Sequence, residues 1–192
     1  MWIKGLALST LALAMSSPAL AHSGAEGAGG FVAGLVHPLF GADHLLAMVA
    51  VGLWAACSEP RRVWVAPAGF LTGMLAGMVL ALSGVAFVAT ESLIVLSVVL
   101  FGALAFFAAK IPPLATFAGA AVLASAHGAA HGMEMPADGS TLAFCAAVML
   151  MTALLLAFGA AVGLAAKRFQ FGRVGQAAGG ALAAAGLVMM MS

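Results

Sequence analysis

Long apolar runs separated by short polar breaks take up most of this chain, at residues 31–56, 63–88, 93–109, 113–130, 141–166 and 174–191. A helix needs about 20 apolar residues to cross a bilayer, so each run is a candidate span. A soluble domain carries about 25% charged residues, because its surface must face water. Here 7% of residues are charged and the mean hydropathy is +1.18, so no such surface can be built. Soluble enzymes, nucleic-acid binders and disordered linkers are excluded on these grounds. The expected fold is an all-α polytopic membrane bundle of six transmembrane helices, with no separate soluble domain.

The segment ahead of the first run has a different purpose. In residues 1–21, Lys4 gives a positive start, an apolar stretch follows, and Ala19-Leu20-Ala21 supplies a small-x-small cleavage pattern. The stretch is too short to span, so it is expected to be a removed secretory signal peptide. The mature chain, residues 22–192, would then begin at His22, with both termini periplasmic. Arg61, Arg62, Lys110, Lys167, Arg168 and Arg173 all fall in alternate loops, while the loops around Glu91 and from His131 to Ser140 hold no Lys or Arg. The positive-inside rule therefore places the first set in the cytoplasm of a bacterial inner-membrane protein.

Glycine is frequent inside the runs, as at Gly69, Gly73, Gly77 and Gly84, or Gly175, Gly179 and Gly180. Close helix packing of the small-xxx-small kind accounts for them. Cys57 and Cys145 lie toward opposite membrane faces and are expected to be packing residues, with no disulfide or thiolate site.

Ionisable groups inside a span are costly, and their presence there points to function. His37 and His44 are seven residues apart, two turns of a continuous helix, and would share a face. Asp43 would lie roughly 18 Å along a straight helix from Phe31, near mid-bilayer. Pro38 and Gly41 would distort this helix and free backbone carbonyls. In the fourth run His127 and His131 stand at i, i+4, with Glu134 one turn further on. Glu91, at the start of the third run, belongs to the same outer side. If His22 is the mature N-terminus, its α-amine and imidazole could chelate a metal together. These residues form a nitrogen/oxygen ligand set suited to a borderline divalent ion such as Ni²⁺, Co²⁺ or Zn²⁺.

The segment HPLFGADHLLAMVAVGLWA, from His37, resembles the first-span signature of the HupE/UreJ family. These are bacterial membrane proteins associated with hydrogenase and urease maturation and regarded as nickel permeases. AHGAAHGMEMP, from Ala126, is similar to the second His-rich motif of that family, and Glu91-Ser92 with Ser97 and Gly102 fits its third span. The resemblance covers essentially the whole chain. It implies Ni²⁺ as a transported ion, with no tightly bound cofactor and no enzymatic activity, and a functional link to hydrogenase or urease maturation. It places the metal pathway at His37, Asp43, His44, His127, His131 and Glu134. The expected order is capture at the periplasmic mouth by His127, His131, Glu134 and His22, then passage to His37 and the Asp43–His44 pair. The rivals are a membrane metallochaperone or sensor that binds without translocating, and a b-type cytochrome with His37 and His127 as haem ligands.

Overall fold

A computed structural model describes residues 30–135 and 140–192; the expected signal segment 1–21 and His22 lie outside the described residues. The described residues form seven α-helices and one short 3₁₀ turn, with no strand among them. In chain order these are α1 (Gly30–Phe40), α2 (Ala42–Ser58), the 3₁₀ turn Pro60–Arg62, α3 (Val65–Leu82), α4 (Thr90–Phe106), α5 (Pro113–Met133), α6 (Thr141–Arg168) and α7 (Gly172–Met191).

Four helical segments are long and apolar enough to cross a membrane: Pro60–Leu82, Pro113–Met133, Thr141–Arg168 and Arg173–Met191. The α1–α2 pair makes a fifth if it is taken as one broken span, and α4 is a shorter apolar helix. The elements begin and end where their residues require it. Pro112 and Pro113 open α5, where a missing N–H costs nothing. The Ser140 hydroxyl caps α6 by accepting from the Ala143 N–H at 3.3 Å.

The first run is not one straight helix, so the straight path expected from Phe31 to Asp43 does not hold. Pro38 lacks an N–H, and Gly41 adopts an extended conformation at φ −84°, ψ 103°. Together they stop α1, and α2 leaves at an angle of 80°. A new helix N-terminus is thereby created inside the bundle, with Asp43 in its first turn, where the aligned peptide dipoles favour negative charge.

Three close pairings build the bundle: α3 with α5, α1 and α2 with α6, and α4 with α7. Exchanging the elements α1 to α4 for α5 to α7, with α1 and α2 taken together, maps these pairings onto one another. The histidines do not follow this exchange, because all the described ones gather at one end. At the α3–α5 seam, Gly69, Gly73 and Gly77 lie directly on the backbone of Phe117, Ala121 and Ser125. In a membrane, where lipid competes equally for apolar side chains, such backbone approach supplies much of the association. Gly84 does not join this seam; it sits at φ +84° in the turn after α3, with open space around it.

The basic residues collect at the end of the bundle away from the histidines. Trp54 of α2 donates its indole N–H to the Ala109 carbonyl at 2.9 Å, tying the end of α2 to the loop that carries Lys110. Trp54, Ser58, Glu59, Arg62, Pro113 and Thr116 line a small cavity there of about 30 Å³.

Candidate metal centre

At the opposite end the broken first run and the end of α5 converge. His37, in the last turn of α1, approaches Glu134, just beyond α5, with Nε2 and Oε2 2.9 Å apart. Glu134 is half exposed and His37 is 28% exposed, so the pair faces the surface. That hydrogen bond holds the Glu134 carboxyl below its ordinary range, which keeps it ionised as an oxygen donor.

Behind this pair the imidazoles form a continuous line. His131 lies 5.0 Å from His37, centroid to centroid, and 4.7 Å from His44. His44 in turn lies 4.9 Å from His127. His37 and His44 thus meet through His131 of α5, not by sharing the face of one helix, because the break at Gly41 separates them. The order from surface to interior also differs from the sequence expectation. His37 stands at the mouth with Glu134, whereas His127 is fully buried at the inner end of the line.

The polar atoms in this line are unusual for an apolar interior. His44 Nε2, His127 Nδ1 and both ring nitrogens of His131 are buried without a hydrogen-bond partner among the described residues. A buried polar group left unpaired costs about 1–3 kcal/mol, so several close together call for a function. An imidazole lone pair with no proton to accept is what a metal ion uses. His37, His131 and Glu134 each offer a ligand atom, and these atoms lie within 4.8 Å of one another.

Asp43 is placed against His44 by two contacts. Its Oδ1 accepts from the His44 backbone N–H at 2.7 Å and pairs with the ring Nδ1 at 2.9 Å. With the Nδ1 proton held by the carboxylate, His44 presents Nε2 as its free lone pair. Asp43 thus orients the His44 ring and supplies negative charge next to it. Glu91 lies exposed in the first turn of α4, outside the close group of His37, His131 and Glu134.

Two further residues escaped the sequence analysis in their structural roles. Ser97, in the middle of α4, hydrogen-bonds His127. Phe70 of α3 lies 5.2 Å from the His127 ring and closes the inner end of the line. Beyond it Phe101 stands 6.2 Å from Phe70 and stacks on Trp54 at 5.9 Å. An aromatic plug therefore separates the histidines from the cavity at the basic end.

Comparison with known proteins gives the family of the chain. Residues 10–189 match the family described as HupE / UreJ protein. The chain belongs to the HupE/UreJ family. It is 40% identical over 184 residues to Protein HupE of Rhizobium leguminosarum bv. viciae, covering 94% of each chain. No solved structure matches it significantly. Both His-rich motifs of this HupE/UreJ chain fall inside the matched region, at the end of the bundle where its unpaired imidazoles collect.

Proposed function

We propose that this HupE/UreJ chain is a secondary permease, or facilitator, that imports Ni²⁺ across the bacterial inner membrane to supply metalloenzyme maturation. Co²⁺ would suit the same donors. The observation that carries the reading is the line of four imidazoles, half open at Glu134 and His37 and fully buried at His127. Three of its four rings carry a buried nitrogen with no hydrogen-bond partner among the described residues. One tight site would trap an ion, whereas closely spaced sites with few ligands each allow it to move on. In this reading the chain has six spans after a cleaved signal peptide, with α4 as the short third span. The histidine end faces the periplasm and the basic end the cytoplasm, as the positive-inside rule prefers.

The aromatic plug supports a second reading, a membrane metallochaperone or sensor that holds the ion without passing it. Proteoliposomes of purified protein separate the two: nickel accumulating inside supports the permease, and saturable binding with no flux supports the alternative.

Within the permease reading, Asp43→Asn is expected to lower nickel uptake by roughly 10–100-fold, the usual penalty for weakening the partner of a ligating histidine. Asparagine keeps the size and an acceptor oxygen but loses the charge. The check is uptake of labelled nickel by cells with matched expression. Wild-type uptake by this variant, or by His37→Ala, would remove the proposed route.

A further inference from the structure

We propose that Ser97 is a positioning residue that fixes the tautomer of His127 and so sets which of its nitrogens receives the ion. This inference rests on reading the histidine line as an ion route. It goes beyond that reading because it gives α4, which contributes nothing to the close ligand group, a defined part in the chemistry.

The Ser97 side chain is fully buried, and its hydroxyl donates to the Ile94 carbonyl at 2.7 Å. A serine hydroxyl has one proton to give. With that proton directed at Ile94, Oγ can meet His127 Nε2, 2.9 Å away, only as an acceptor. The reverse assignment would turn the hydroxyl proton toward Nε2 and leave two oxygen lone pairs facing each other at 2.7 Å. His127 therefore carries its proton on Nε2. The lone pair is left on Nδ1, the buried atom that has no hydrogen-bond partner among the described residues.

A contrast with His44 follows. Asp43 holds the Nδ1 proton of His44, so that ring offers Nε2; Ser97 holds the Nε2 proton of His127, so the adjacent ring offers Nδ1. A carboxylate partner raises the basicity of a ligating imidazole. A neutral hydroxyl, itself already committed to a carbonyl, does so far less. His127 is therefore the weaker donor, and an ion moving inward passes from a tighter ligand to a looser one. That ordering favours onward release.

The test uses full-length protein, with Ni²⁺ as the probe. Ser97→Ala is expected to raise the KM for nickel uptake about 10–100-fold, while the rate at saturating nickel changes less than about twofold, because lost orientation weakens capture more than movement. Ser97→Thr, which keeps a hydroxyl able to bond the same carbonyl, should restore the wild-type KM. In a His127→Ala background, Ser97→Ala should add nothing further. Imidazole ¹⁵N NMR of the metal-free protein should show His127 as the Nε2–H form in wild type and a mixture in Ser97→Ala. An unchanged tautomer together with an unchanged KM would overturn the proposal. So would a Ser97→Ala penalty of the same size in the His127→Ala background, since the serine would then act independently of that ring. If the wild type binds nickel but does not transport it, the permease reading fails by itself; equilibrium nickel affinity and the NMR tautomer then decide the role of Ser97.

Discussion

Cells producing the His131→Leu variant should take up labelled nickel more than a hundredfold more slowly than wild type, while the purified variant melts at the same temperature or higher. The two halves of this result have one cause. His131 is 1% exposed, it stands between His37 and His44, and neither of its nitrogens has a hydrogen-bond partner among the described residues. Removing a partner of a ligating histidine costs about 10–100-fold, so removing the central ligand should cost more. Stability moves the other way, because an unpaired buried polar group is replaced by an apolar one of similar size. Uptake measured at matched expression, with thermal unfolding in detergent, checks both halves. Normal uptake would show that the ion does not pass this ring. A collapse in stability would show that His131 is structural.

The second large effect belongs to the α3–α5 seam. Gly73→Ala should abolish assembled protein, because a Cβ at Gly73 would overlap the carbonyl oxygen of Ala121 and its backbone carbons. Overpacking against side chains costs about 1–3 kcal/mol. Here the obstacle is backbone, and relief requires moving a whole helix that also carries His127 and His131. Gly119→Ala on α5 is the control: a Cβ there meets nothing within 4 Å. It should be neutral, or stabilise by about 0.5–1 kcal/mol through helix propensity. The monodisperse fraction after detergent extraction distinguishes the two variants. Equal yields would mean that the seam is looser than the backbone contact implies.

The ionisable residues of the centre were legible in the sequence because apolar runs make any His, Asp or Glu conspicuous. The close glycine seam at Gly69, Gly73 and Gly77 was legible from spacing. A disturbance near Pro38 and Gly41 could also be anticipated, since both residues oppose a continuous helix. The angle it produces could not, because neighbouring helices set the direction in which α2 leaves. For the same reason the helical spacing of His37 and His44 misled: they are joined by a ring from α5, and contacts across spans leave no periodic trace. Ser97 gave little signal, because a serine in an apolar helix most often bonds only its own backbone. Phe70 gave none, being one aromatic among many.

The placement of the two carboxylates has an energetic consequence for anything that travels this line. Asp43 adjoins His44, and Glu134 stands at the mouth with His37, whereas among the described residues His127 hydrogen-bonds the Ser97 hydroxyl and no carboxylate. A dication taking the proposed route would move away from both carboxylates on the step from His44 to His127, with Asp43 still near enough to act on that ring. Part of the work of that charge separation can come from the membrane potential, which is worth about 2.3 kcal/mol per elementary charge per 100 mV across the full field. On this route the inward step carries net positive charge through the membrane field, and an inside-negative cell draws the ion toward the basic end.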